Sequence, residues 1–402
     1  MGSVKHVAGV YIHIPFCERK CVYCNFNTTD FNSRLAARYI SAVESEIRHW
    51  GRILAGHSIG AGAPSKLPID SIFFGGGTPS TLSAGQLARL IEACADWFEV
   101  CSDAEITIEI NPSPLHPRDM ADWRQGGVNR ASVGIQSFID RELAALSRTH
   151  TADDARRAVA ALREAGFDNI SLDLIAGLPQ QSRSDWEFNL AQALEIKPEH
   201  LSLYLLEIKE GTQLQSQIQR GRIERPDDDL AADMYEIMCD ACAEAGYEHY
   251  DISNFALAPL GAPREAVPSV YRSRHNMKYW TGAPFYGFGC GAHSYDGISR
   301  WVNVKHTENY IESVSETGQA IAERTDLSHD DRAAEALFMG LRLIEGVDLA
   351  EFRNRYDLDV NGRYGRELAR LAEAGLIETA GSRLRLTARG LVLSNEVFVA
   401  FV

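Results

Sequence analysis

The feature that most constrains this chain is a recurring unit: a short apolar or β-branched run, then a polar turn motif, then a helical pattern. The runs are residues 7–14, 69–74, 105–110, 130–135, 170–175, 200–207 and 247–252. Several, such as ISLDLIAGL, are apolar on both faces, which suits parallel strands covered by helices better than a half-exposed antiparallel sheet. Capping boxes are expected where a hydroxyl and a residue three places on satisfy each other's free backbone groups, at Ser83 with Gln86 and at Ser184 with Glu187. Gly166 and Gly246 each follow a helical stretch, where a left-handed position ends the helix. Repeated βα units make an open doubly wound sheet or a complete or partial barrel, and periodicity alone admits both. In either, ligands bind at the carboxyl ends of the strands. The polar motifs fall there: FCERKC after the first run, then GGGTPS, NPSP, QSF and GLP after the next four.

At 402 residues the chain is longer than one core usually serves, so a large and a small domain are expected. The net charge of -15 argues against nonspecific binding to nucleic acid or anionic lipid. No apolar window of transmembrane length and no signal-peptide pattern is evident, so the expected location is cytoplasmic. Two stretches rich in Gly, Pro and Ala, 56–68 and 256–269, read as surface loops. Beyond residue 326, helical patterns over 332–344 and 365–375 precede a hairpin pattern at 376–387. That order predicts a winged-helix-like domain. Its 10 Lys and Arg against 13 Asp and Glu, a net of -3, disfavour a DNA-reading role.

The chemistry concentrates in YIHIPFCERKCVYCNF, residues 11–26, where Cys17, Cys21 and Cys24 follow C-x3-C-x2-C. Structural zinc closes its tetrahedron with four ligands, and no further Cys or His stands at ligand spacing here; His13 lies within the strand pattern. A cubane iron–sulfur cluster on three thiolates, one iron left open, accounts better for the count. Cys94 stands apart and is not expected to be a ligand. Cys239 and Cys242, three apart on a helical pattern, read as small buried side chains.

With this loop and the motifs FFGGGTPS, TIEINP, GIQSF, LSRTH and LDLIAGLP, the chain resembles the radical S-adenosylmethionine (SAM) superfamily. The resemblance implies a partial (βα)6 TIM-like barrel. It also implies a [4Fe-4S] cluster on Cys17, Cys21 and Cys24, with SAM chelating the open iron so that an electron breaks the sulfonium bond. By the same resemblance Tyr11, Gly76, Gly77, Thr78, Glu109, Gln136, Arg148 and Asp173 line the SAM pocket. Acidic and amide groups suit ribose hydroxyls, and an arginine suits the methionine carboxylate.

The motifs VNRASVGIQSF, DLIAGLPQQ, DISNFA and RHNMKYW further resemble the group around oxygen-independent coproporphyrinogen III dehydrogenase, and within it the haem-chaperone branch. The dehydrogenase carries a cysteine two places after the third, where this chain has Phe26, and a longer amino-terminal arm; the chaperone branch carries H-N-x-x-Y-W, here His275, Asn276, Tyr279 and Trp280. The resemblance thus implies haem binding and delivery to apo-haemoproteins, respiratory haem enzymes among them, with a homodimer as the expected assembly. Oxidative decarboxylation of coproporphyrinogen III is the alternative. His275 is the candidate axial ligand, with Tyr279 and Trp280 against the macrocycle; Cys290 and His293, beside Gly287, Gly289 and Gly291, form a second candidate. The expected division is a SAM core over 1–255, a connecting region with the motif over 256–325, and a carboxyl-terminal helical domain over 326–402.

Overall fold

The computed structural model describes residues 7–56, 66–113, 117–259 and 267–401. Among them twelve strands form one sheet: β1 Ala8–Ile14, β2 Pro68–Gly76, β3 Glu99–Ile110, β4 Arg130–Gln136, β5 Ile170–Ala176, β6 His200–Leu205, β7 Tyr247–Asp251, β8 Asn254–Leu257, β9 Phe285–Phe288, β10 His293–Tyr295, β11 Ser299–Asn303 and β12 Ile321–Asp326. The spatial order is β12-β11-β10-β9-β1-β2-β3-β4-β5-β6-β8-β7. Strands β1 to β6 are parallel neighbours in chain order, each followed by helix, which makes the partial (βα)6 barrel. Strand β9 adds in parallel beside β1, and β10 to β12 continue antiparallel.

The alternation of side chains explains how one sheet serves a core and a site. Val10, Ile12 and Ile14 are fully buried in one cluster with Tyr39, Ile40 and Val43 of the helix Ser33–Gly56. The intervening Tyr11 and His13 face the other way, as do the buried polar residues Ser71, Thr107, Ser132 and Ser171 on neighbouring strands. A period of two thus leaves an apolar exterior under helices and a polar concave interior.

Four expectations need correction. The run at 247–252 is not a seventh parallel unit: β7 pairs antiparallel with β8, a two-strand return at the sheet's edge. Ala256 and Leu257, expected in a loop, are the end of β8. The capping box assigned to Ser184 and Glu187 is formed by Ser182 and Asp185, because Ser182 holds the last extended backbone before the helix Arg183–Ile196. The box at Ser83 and Gln86 is present. Residues 57–65 and 260–266, within the two expected loops, lie outside the described residues, whereas Pro68 already belongs to β2.

The carboxyl-terminal region has its own apolar cluster, including Leu337, Leu341, Val360, Leu371 and Leu384. Helices His329–Gly340, Leu349–Tyr356 and Val360–Glu373 precede the hairpin Ile377–Ala380 and Arg383–Leu386, which Val347–Asp348 joins as a third strand. This is the winged-helix-like arrangement. It docks on β7, where Ile252 N–H donates to Arg342 O and Ile344 N–H to Tyr250 O, both at 3.1 Å.

One buried carboxyl ties the added strands to the first helix. Glu46 accepts from Gly289 N–H (2.9 Å), Asn303 Nδ2 (2.7 Å) and the Tyr310 hydroxyl (2.6 Å). Burial outweighs these donors and raises its pKa from 4.5 to about 7. Because the folded value lies above the unfolded one, the native state holds the extra proton between them, and stability falls as pH rises through about 4.5 to 7. The full effect is worth about 3 kcal/mol at about 1.4 kcal/mol per pKa unit. Denaturant midpoints across that window should show this decline in the wild type and a flatter profile in Glu46→Gln; parallel profiles would contradict the assignment.

Candidate cofactor site

Strand β1 runs directly into the cysteine loop. Phe16–Cys17 pairs with Thr29–Asp30, and the loop's two feet are pinned by Thr29 N–H to Pro15 O at 2.7 Å and Phe31 N–H to Cys17 O at 3.0 Å. Cys17 is buried, while Cys21 and Cys24 are partly exposed. Burial raises the Cys17 thiol, and the neighbouring Cys24 and Cys21 raise it further. The Arg148 Nη1 lies 3.6 Å from Cys21 Sγ, and the Thr78 hydroxyl 3.5 Å from Cys17 Sγ. Among the described residues no three His, Cys, Asp or Glu side chains gather around a single metal ion. A cubane makes a different demand, since each thiolate meets its own iron, and three soft donors on one pinned loop beside a cation fit it. Phe26 is 61% exposed.

The glycine turn after β2 lies against this loop. Gly76 has φ +112°, and a Cβ there would stand 2.4 Å from the His13 ring; one on Gly77 would stand 2.8 Å from the Pro15 and Phe16 backbone. Gly76 N–H donates to Glu109 Oε2 (3.0 Å), Gly77 N–H to Ile14 O (2.8 Å) and Thr78 N–H to Phe16 O (2.8 Å). The turn's donors are therefore committed to the protein. Tyr11 OH meets His13 Nδ1 at 3.1 Å, and His13 Nε2 meets Asn27 O at 2.8 Å, so this histidine braces the loop.

The other expected residues converge on the same strand ends. Gln136, at a register break in β4, has φ +69°, a left-handed conformation that costs a non-glycine residue about 1–3 kcal/mol. Arg148 Nη2 donates to Asn111 Oδ1 (2.8 Å) and Gly134 O (2.5 Å), while its buried Nε has no partner among the described residues. Asp173 accepts from the Ser132 hydroxyl at 3.1 Å and the Ser171 hydroxyl at 3.3 Å. Glu109 is raised to about 7, first by burial and then by Asp173.

Arg130 was not singled out in the sequence, yet it is 2% exposed and its charge opposes the upward shifts of both Glu109 and Asp173. The available signal was a lone arginine inside an apolar strand pattern. Ser132 and Asn111, which hold Asp173 and Arg148, gave no such signal.

The H-N-x-x-Y-W motif forms the helix Arg274–Thr281, capped by Ser273. His275 is 1% exposed and stacks on Phe73 and Tyr11. Its Nδ1 meets the Ser71 hydroxyl at 3.1 Å and its Nε2 the Tyr279 hydroxyl at 2.9 Å. Burial lowers its pKa to about 3, with Lys278 adding to the effect, so the ring is neutral. Trp280 Nε1 donates to Asp251 Oδ2 (2.9 Å) beneath the Arg342 guanidinium, 4.4 Å above the indole. Asn276 N–H donates to the Ser273 hydroxyl. Cys290 is buried behind the cysteine loop, receiving Asn27 Nδ2 at its carbonyl (3.1 Å), whereas His293 is exposed.

A parallel six-strand fan whose first strand enters a C-x3-C-x2-C loop packed on a glycine turn defines a protein of the radical SAM class. Residues 11–191 match the radical SAM superfamily and residues 327–393 the HemN C-terminal domain. The heme chaperone HemW of Bacillus subtilis is 36% identical over 394 residues, covering 98% of each chain, and that of Mycobacterium tuberculosis is 34% identical over 97% of this chain and 93% of its own. The chain belongs to this HemW family of radical SAM proteins. The mitochondrial radical S-adenosyl methionine domain-containing protein 1 of Bos taurus is also similar, at 33% identity over 98% of this chain and 87% of its own. The solved structure of Escherichia coli coproporphyrinogen III oxidase, HemN, superposes with a TM-score of 0.82 over 99% of this chain and 90% of that one; at 23% identity it shows the shared fold.

Proposed function

We propose that the protein is a haem chaperone that holds a [4Fe-4S] cluster on Cys17, Cys21 and Cys24, binds SAM beside it, and delivers haem to apo-haemoproteins, respiratory haem enzymes among them. The observation that carries this reading is the end-to-end relationship with a protein named as a haem chaperone, 98% of both chains. When bound, the cluster supplies a low-potential electron to the sulfonium of SAM. The chain's residues do the positioning. With the N–H groups of Gly76, Gly77 and Thr78 committed, the turn offers carbonyl oxygens, which suit the methionine ammonium. Arg148, fixed by Asn111 and Gly134, orients the carboxylate, and its unpartnered Nε is a donor in reserve. Asp173 and Gln136 face the ribose, and Glu109, held by Gly76 N–H, closes the pocket beside Tyr11.

The reading assigns residues 1–255 to the SAM core, 256–325 to the connection that carries the motif, and 326–402 to the docking domain. It places the protein in the cytoplasm as a homodimer; among the described residues no helix is long and apolar enough to cross a membrane. His275 becomes an axial ligand only if Ser71 or Tyr279 gives up a ring nitrogen; with both contacts in place the motif helix supports a haem site from behind. A haem titration of the anaerobically reconstituted protein, beside a coproporphyrinogen III assay with SAM and reductant, tests the reading. Stoichiometric binding without porphyrin product supports it; porphyrin product, or no haem-dependent spectrum, overturns it.

A further inference from the structure

A cleft of about 270 Å³ opens where the end of the motif helix meets the carboxyl-terminal helices, lined by Pro284, Tyr295, His329, Arg332, Arg355 and Tyr356, with two glycines. In a chain of net charge -15, no Asp or Glu lines it. Arg332 has no ion-pair partner among the described residues, and its buried Nε has no hydrogen bond. Arg355 donates to Thr281 O (3.1 Å) and Gly282 O (3.3 Å), which anchors the cleft to the end of the motif helix, and its guanidinium lies 5.2 Å from the Tyr356 ring centroid; among the described residues it has no ion-pair partner. His329 is half exposed; its Nδ1 lies 3.7 Å from Asp330 Oδ1, and no contact occupies its Nε2 among the described residues. A second cleft nearby, about 320 Å³, also contains cations, but Arg272, Arg274 and Lys278 there are each paired, with Glu248, Asp103 and Asp70.

Two guanidinium groups, two phenol rings and a free imidazole nitrogen, with no carboxylate in the lining and the neighbouring Asp330 and Glu335 outside it, select a flat aromatic ligand that carries carboxylates and a metal. We infer that this cleft is the haem-docking site, with Arg332 and Arg355 on the propionates, Tyr295 and Tyr356 against the macrocycle, and His329 as the iron ligand. The inference rests on the haem-chaperone reading. The cleft is smaller than the roughly 300–1,000 Å³ of pockets that engulf a ligand. It therefore seats one edge of the macrocycle and leaves the rest accessible, as a hand-over requires.

Haem titrations of the reconstituted full-length protein test it. Arg332→Gln with Arg355→Gln should weaken binding by about tenfold or more, since charge-assisted contacts are lost. His329→Ala should change the Soret position and the low-spin iron signal. Haem dimethyl ester, which lacks the propionate charges, should bind the wild type as weakly as haem binds the double variant, a comparison that does not depend on how the variant folds. If the wild type binds haem and the variants and the ester match it in affinity and spectrum, the cleft is overturned and the chaperone reading stands. If the wild type takes up no haem, both fall.

Discussion

Alanine at Cys17, Cys21 or Cys24 should leave the reconstituted protein without its brown cluster absorbance, each substitution alone being sufficient. A closed four-ligand zinc site is worth about 10–16 kcal/mol, so one ligand of a three-thiolate set carries several kcal/mol and its loss costs a thousandfold or more in occupancy. The loop has no substitute to offer: Phe26 stands two places after Cys24, and Cys290, behind the loop, is buried among Tyr39, Asn27 and Thr307. Cys94→Ala is the control. That thiol is fully buried in the helical layer and pushed up to about 12 by burial, so the variant should keep its cluster. Iron and sulfide content, read beside the absorbance, checks both, and a full cluster in Cys21→Ala would contradict the ligand assignment.

Gly76→Ala should abolish SAM binding and lower the melting temperature even when the cluster is present. Two costs add there. The backbone at φ +112° is strained for any side chain, by about 1–3 kcal/mol. The new methyl would also meet the His13 ring, which is held between Tyr11 and Asn27 and has little room to retreat; overpacking of this kind costs about another 1–3 kcal/mol. Since Gly76 N–H also holds Glu109, any retreat of the turn releases a pocket side chain. Equilibrium dialysis with SAM and a thermal melt provide the readouts. Wild-type affinity in Gly76→Ala would mean that the turn does not contact the ligand.

What was legible in the sequence was whatever is local. C-x3-C-x2-C lies within eight positions, and all seven apolar runs overlap the strands they become. Strands β9 and β10 escaped because FYGF and HSY are too short to stand out from a loop; β9 pairs with the β1 edge and β10 with β9. The antiparallel return of β7 was hidden for a related reason: YEHYD reads as a strand, but only its partner sets its direction. In the proposed site, the residues that converge on the strand ends were readable, whereas their supports were not. Ser132 meets Asp173 across 41 residues of chain and Asn111 meets Arg148 across 37. The same limit applies to His275, whose spacing in H-N-x-x-Y-W says nothing of the Ser71 hydroxyl 204 residues away.

The central claim is that this radical SAM fold carries haem rather than oxidising a porphyrinogen. Its most direct test is the anaerobic haem titration run on the same cluster-loaded preparation as the coproporphyrinogen III assay. A Soret band that saturates at a stoichiometric amount of haem, with no porphyrin fluorescence from the parallel assay, is the predicted result; porphyrin formed in proportion to SAM consumed, with no haem-dependent band, would contradict it.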